Sequence, residues 1–301
     1  MIDLEDIPAK PPILIAGPTA SGKSTLALTI ATRMGGRIIN ADALQVFSNW
    51  RLLTARPDAD ELSRAPHSLY GHVPGDADYS VGHWLREVEA ELAKDGPRPI
   101  IVGGTNLYFQ ALTEGLVDIP PIPQAIRTQG DAIRRTAGHA ALLEALDAAD
   151  PQTASRIDRQ NPRRVQRAWE VLRSTGRGLT AWQADTPPPL LPLAHTIPLV
   201  AEADRAWLNT RINQRFDMMM ECGALEEARV NLATWDPAHP SSKAIGAPEL
   251  IAFLKGDLSL ESATALAKRS SRRYAKRQQT WIRARMGGWR RVRMPRALRI
   301  E

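Results

Sequence analysis

The string Gly17-Pro18-Thr19-Ala20-Ser21-Gly22-Lys23-Ser24 constrains this chain more than any other feature. It fits Gly, four residues, then Gly-Lys-Ser/Thr, and lies between a short apolar run, Ile13–Ala16, and a stretch of helical periodicity, Thr25–Met34. A loop of this kind wraps its backbone around a phosphate. Its glycines permit close approach, successive N–H groups and the helix N-terminus face the anion, Lys23 adds a point charge, and the Ser24 hydroxyl is the expected ligand for Mg²⁺. Arg37–Ala41, ending at Asp42, and Pro99–Val102, ending at Gly103-Gly104, read as two further short strands. Strands alternating with helices imply an α/β protein, a P-loop NTPase-like parallel sheet core flanked by helices.

The alternation is interrupted. Between Leu116 and about Leu193 the composition turns to Ala- and Arg-rich helical segments, entered through Pro120–Pro123 and left through Pro187–Pro192. The expected organisation is a core made of 8–115 and 194–301 with an inserted helical lobe at 116–193. His195–Val200 reads as a returning strand, Asp204–Glu221 and Leu225–Leu232 as helices, and Leu260–Arg285 as one long basic helix. At 301 residues and 43% hydrophobic, the chain buries a full core.

Charge narrows the partners. The formal net charge is +6, but Lys268–Glu301 holds thirteen Lys or Arg and one acid, so this stretch is +12 and the remainder, +6 less +12, is −6. A local basic patch points to a polyanion. The single cysteine, Cys222, excludes internal disulfides and Cys-based zinc sites, and a half-buried helical position is expected for it. The histidines His67, His72, His83 and His195 show no metal-ligand spacing. The start, MIDLEDIPAK, has acids where a signal peptide needs cations, and no apolar run reaches the roughly 20 residues of a membrane helix, so a cytoplasmic protein without a membrane partner is expected.

A nucleoside triphosphatase places an acid at the end of a core strand to help hold Mg²⁺. Here the strand at 99–102 leads into Gly103-Gly104-Thr105, and the acid, Asp42, stands at the carboxyl edge of the strand before it, where open α/β sheets bind ligands. Three roles fit Asp42: a base for a hydroxyl beside a γ-phosphate, a base for an exocyclic amine attacking carbon, and a helix N-cap.

Eight strings in fixed order then resemble one family. They are the phosphate loop, Asp42-Ala43-Leu44-Gln45-Val46-Phe47, Thr54-Ala55-Arg56-Pro57, Ala65-Pro66-His67 with Tyr79-Ser80-Val81, Val102–Phe109, Asn161–Ala168, Arg211–Phe216 and Tyr274–Trp281. On these, from Ile13 to about Arg283, the chain is similar to the tRNA dimethylallyltransferases, also called isopentenyltransferases. It departs at Ala43 (usually Ser), Phe47 (Tyr), Leu53 (Gly), Gly71 (often an acid) and Ala247-Pro248-Glu249 (Gly-Tyr-Lys/Arg-Glu).

The resemblance implies dimethylallyl diphosphate as donor, its diphosphate held by Gly17, Pro18, Thr19, Ala20, Ser21, Gly22, Lys23 and Ser24 with Mg²⁺ on Ser24. It implies Asp42 as the base for adenine N6, Thr19 and Thr105 around the donor and the entering nucleotide, and Arg215 as a diphosphate clamp. The acceptor it implies is the anticodon stem-loop of tRNA, with adenosine 37 extruded from its stack. Asp42, Ala43, Leu44, Gln45 and Thr105 would meet the nucleotide, and Arg127, Arg163, Arg164, Val165, Gln166 and Arg167 of the lobe the flanking RNA. Gln45 carries the donor and acceptor pair that reads an adenine edge. Tyr274, Trp281 and Trp289 either stack on bases or pack into a core, which leaves the cations around them as the better RNA candidates. A monomer without protein partners is expected. The rivals are an adenylate isopentenyltransferase acting on free AMP, a small-molecule or nucleotide kinase, and a non-catalytic RNA-binding protein with a vestigial loop.

Overall fold

The computed structural model describes residues 7–8 and 10–294; the acidic start and the last residues of the basic stretch, Arg296 and Arg299 among them, lie outside the described residues. The chain divides into two compact units, 1–113 with 190–301, and 114–189.

The first unit is built on six parallel strands: β1 (Ile13–Ala16), β2 (Arg37–Asn40), β3 (His67–Ser68), β4 (Pro99–Gly103), β5 (Ile197–Glu202) and β6 (Arg290–Arg293), in the order β3-β2-β4-β1-β5-β6. β1 lies in the middle, with Ile13 opposite Ile100 on one side and Ile197 on the other. A parallel strand covered on both faces reads as an unbroken apolar run, which is why Ile13–Ala16 is buried throughout. Its side chains alternate between two cores. Ile13 and Ile15 join Ile38, Ile100 and Leu199 against Ala27, Leu28, Ile30 and Ala31 of α1 (Lys23–Met34). Leu14 and Ala16 join Ile39, Ile101 and Val200 on the other face.

That second face is covered by α3 (Val81–Leu92), which follows the short α2 (Ala59–Arg64), by α4 (Asn106–Glu114), and by the C-terminal helix described below. Trp84 of α3 is fully buried, stacks on Tyr108 at 4.4 Å between ring centres, and donates its indole N–H to the Asn40 carbonyl at 2.7 Å. A large ring with its one polar atom satisfied combines hydrophobic burial with orientation, and here it fixes the strand end that leads to Asp42.

The second unit is helical: α5 (Gln124–Thr136), α6 (Gly138–Ala149), α7 (Pro151–Arg156), α8 (Pro162–Thr175) and α9 (Leu179–Ala184), packed around Leu142, Leu146, Ala154, Val165, Ala168 and Trp169. Asn161 caps α8 by accepting from the N–H groups of Arg163 and Arg164, and Pro162 sits in the first turn, where its missing N–H has no cost. This unit ends at Pro189 and not at 193, because Leu190, Leu191 and Leu193 pack against the first unit's core.

Back in the first unit, α10 (Arg205–Glu221), α11 (Ala224–Asn231), α12 (Ala247–Leu254) and α13 (Leu260–Arg285) lie between β5 and β6. Trp50, Phe216, Ala228, Leu250, Ala263 and Ala267 form a further core among them. Cys222 is not a half-buried helical residue: it caps the end of α10 and is exposed, since the chain turns there through Gly223 in the left-handed region. Trp281 and Trp289 pack into the core beneath the sheet, Trp289 edge-on to Phe109. Among the described residues no helix is long and apolar enough to cross a membrane.

Candidate active site

The phosphate loop leaves β1 at Gly17. A Cβ there would stand 2.8 Å from Ser21 Oγ and 3.0 Å from Ala201 Cβ, so only glycine lets the loop pass this close to β5. Gly22 adopts φ +88 at the N-cap of α1, and this turns the N–H groups of the first helical turn toward the loop's interior. Lys23 lies against the loop, its Nζ donating to the Pro18 carbonyl at 3.3 Å. Burial pulls its ammonium pKa down to about 8, against the attraction of Asp42 and with the help of the neighbouring Arg215 charge.

Asp42 follows β2 and is held by Asn40. The Asn40 side chain accepts from Asp42 N at 2.8 Å and donates to the Asp42 carbonyl at 3.0 Å and to the Leu69 carbonyl at 2.9 Å. One carboxylate oxygen accepts from Leu44 N at 3.0 Å, which makes Asp42 the head of a turn and not the cap of a helix. The Thr105 hydroxyl receives Ala43 N–H at 2.9 Å and so ties this turn to the end of β4.

Arg215, on α10, donates to the Thr19 hydroxyl. Burial lowers its pKa to about 10, Asp42 opposes the shift, and Arg211 one turn earlier adds to it. Tyr274 of α13 has its phenol pushed up by burial and then by the Asp42 charge.

Two cavities meet at these groups. The larger, of about 370 Å³, is lined by Lys23, Ser24, Arg56 and Tyr70 along with Thr19, Asp42, Thr54 and Arg215. The other is lined by Leu44, Leu53, Phe216 and Tyr274, again with Thr19, Asp42, Thr54 and Arg215. The shared residues form the wall between a cationic chamber and a mixed one, in which Leu44, Leu53 and Phe216 stand beside Ser271 and Tyr274. Ser24 offers a hard hydroxyl oxygen in the larger chamber, the kind of single protein ligand that Mg²⁺ takes when substrate phosphate and water supply the rest.

Several expected contacts change. The Gln45 amide group donates to the carbonyls of Thr54 and Ala55, both at 2.8 Å, so its donors hold a loop and are not free to read an adenine edge. Val165 has 0% of its surface exposed and belongs to the lobe's core, since the helix period that turns Arg163, Arg164 and Arg167 outward turns position 165 inward. Gln166 is engaged by Arg134, Asp131 and Glu170 within the lobe. Arg127 is exposed there too, and its charge, after burial, helps to lower the Arg167 pKa. Asn40 and Gln278 carry no role in the sequence reading. Gln278 has its partners across the fold, whereas Asn40 bonds mainly to Asp42, two residues on, and only the neighbouring motifs hint at either.

A parallel sheet whose phosphate loop opens on a chamber holding a carboxylate, a lysine and an arginine defines a P-loop enzyme of the group-transfer class. Comparison with known proteins makes the class specific. Residues 45–285 match the family model described as IPP transferase. The chain is 61% identical over 289 residues to the tRNA dimethylallyltransferase of Cereibacter sphaeroides (strain ATCC 17025 / ATH 2.4.3), covering 96% of this chain and 98% of that protein. It is 58% identical over 293 residues to that of Ruegeria sp. (strain TM1040), covering 97% and 99%. Among solved structures, it is similar to the full-length tRNA isopentenylpyrophosphate transferase from Bacillus halodurans (31% identity, TM-score 0.66, 94% and 90% covered). It is also similar to a eukaryotic dimethylallyltransferase captured acting on tRNA (27%, TM-score 0.77, 91% and 70% covered). This chain belongs to the IPP transferase family.

Proposed function

We propose that this enzyme transfers the dimethylallyl group of dimethylallyl diphosphate to N6 of an adenosine in the tRNA anticodon loop, at position 37. The observation that carries the reading is the shared wall: Thr19, Asp42 and Arg215 border both chambers, so a donor in one and a base in the other meet at a carboxylate.

The chemistry follows from the groups present. The N6–carbon bond forms as the carbon–oxygen bond to diphosphate breaks, and the N6 proton goes to the Asp42 carboxylate. Positive charge grows on the allylic carbon and negative charge on the departing oxygen. Lys23 and Arg215 line the chamber that would receive that oxygen, and with the loop N–H groups they place positive charge where it departs. Ser24 would hold Mg²⁺, which when bound adds further charge to the leaving group. The Gly103-Gly104-Thr105 end of β4 lacks the acid a triphosphatase needs, in keeping with a diphosphate that departs whole.

On this reading Arg127, Arg163, Arg164 and Arg167 grip RNA flanking the target base, and Lys276 and Arg277 of α13 contact the backbone. All six are exposed. The same reading makes the enzyme a cytoplasmic monomer. The test is incubation with dimethylallyl diphosphate, Mg²⁺ and unmodified tRNA, followed by mass spectrometry of the nucleosides, with AMP as the competing acceptor. Prenylated adenosine from tRNA and little from AMP is expected; the reverse preference makes the adenylate reading correct.

A further inference from the structure

Gln278 lies on the inward face of α13 with 4% of its surface exposed. Its Oε1 accepts the N–H of Thr19 at 2.8 Å, in the phosphate loop, and its Nε2 donates to the carbonyl of Gly104 at 2.8 Å, at the end of β4. These bonds join residues 259 and 174 positions apart in the chain. A Cβ on Gly104 would come within 2.3 Å of Gln278 Nε2 and 3.3 Å of Asp42 Oδ2, so amide, glycine and carboxylate are packed together with no spare room.

Each end of the amide leads to a reacting group. Thr19 carries the hydroxyl that receives Arg215. Gly104 precedes Thr105, whose hydroxyl takes Ala43 N–H in the Asp42 turn. Among side chains of this size only an uncharged amide offers one donor and one acceptor at a common tip. Leucine offers neither, and a carboxylate offers acceptors alone.

We propose that Gln278 is a positioning residue for prenyl transfer: it holds the donor loop and the Asp42 turn at a fixed separation, so that carbon, amine and base are aligned together. This rests on the proposed transfer reaction and deepens it. The competing account is a buried glutamine that merely fastens α13 to the sheet.

The two accounts differ in what they move. Loss of alignment lowers the rate of the bound complex, and a displacement of about 1 Å costs on the order of 10²-fold. Gln278→Leu is therefore expected to lower kcat by roughly 30- to 100-fold, with KM for dimethylallyl diphosphate and for tRNA each within about threefold of the parent. Gln278→Glu keeps the acceptor for Thr19 and is expected to fall between the two. Thermal unfolding is recorded on the same preparations. A kcat within about twofold of the parent, whatever the change in Tm, leaves only the fastening role and overturns the proposal, as does a raised KM at unchanged kcat. If Gln278→Leu does not fold, the same criteria apply to Gln278→Glu. Failure of the parent enzyme to prenylate tRNA sinks the proposed function instead, and is seen before any variant is measured.

Discussion

The ammonium of Lys23 provides a test of the donor chamber that needs no mutation at first. Burial holds its pKa at about 8, well below the ordinary lysine value, while Asp42 and Arg215 pull in opposite directions. Below that pH the group is charged and available to a diphosphate; above it the neutral amine predominates and the attraction is lost. If only the charged form binds donor, the apparent KM scales as one plus the ratio of neutral to charged lysine. That factor is about 1.1 near pH 7 and about 11 near pH 9, so the donor KM should rise roughly tenfold over this interval. Steady-state transfer at saturating tRNA, with donor titrated at each pH, measures it. Lys23→Arg, which keeps its charge throughout, should flatten the rise. Arg215→Met should move the midpoint to higher pH, because it removes a cation that lowers the Lys23 pKa, and Asp42→Asn should move it to lower pH in a donor-binding assay. Donor affinity and this group's effect on stability move in opposite directions with pH. Between the folded value near 8 and the higher unfolded value, the unfolded chain binds the extra proton, so this group's contribution makes the protein more stable as pH rises through that window. A donor KM that stays level from about pH 7 to about pH 9, or rises equally in Lys23→Arg, refutes the reasoning.

Asp42→Ala should abolish prenyl transfer, a loss of at least about 10²-fold, while tRNA binding by filter retention stays within a few-fold; retained turnover rules out the base assignment. Alanine at Arg163, Arg164 and Arg167 together should reduce the slope of log affinity against log salt by roughly 2 to 3 units with the donor KM unchanged, and an unaltered slope excludes these cations as phosphate contacts. Trp84→Ala should destabilise the protein by about 3–5 kcal/mol in urea unfolding, since it removes the ring stacked on Tyr108 and leaves the Asn40 carbonyl without its donor. Cys222 should react stoichiometrically with a thiol reagent in the native enzyme, with no change in transfer rate, as its position at the end of α10 is exposed.

Much of the donor side is legible in the sequence because its determinants are contiguous. A strand, a glycine-rich loop and a helix in immediate succession leave little choice of geometry, and Asp42 is marked by its place at a strand end. The returning strand is harder to bound: expected at 195–200, it runs from Ile197 to Glu202 after a 3₁₀ turn at Leu193–His195. β6 is invisible to hydrophobic patterning because Arg290-Arg291-Val292-Arg293 holds one apolar residue, Val292, which alone is buried. On the acceptor side, membership of a motif does not fix which way a side chain faces or what it bonds. Val165 stands among arginines in the chain, yet the helix turns it inward, and the Gln45 amide is held by backbone nine and ten residues onward. Gln278 escapes for the opposite reason, since nothing local identifies a polar side chain whose partners come from a distant loop and strand end, and Asn40 escapes because its bonds to Asp42, though two residues away, show only once the turn is folded.

The ends of the sheet carry a consequence of their own. A parallel sheet that does not close on itself exposes unpaired backbone groups at each margin, and those groups are a template for another chain. Here one margin is β3, only two residues long, and the other is β6, where Arg290, Arg291 and Arg293 surround a single buried valine. A second copy that tried to add a strand at β6 would bring its own arginines beside these. Like charge along β6 opposes such pairing, so the cations that the sequence reading gives to a polyanion also disfavour growth of the sheet at that margin. Neutralising the three arginines should be felt first as aggregation at high protein concentration, before any effect on catalysis.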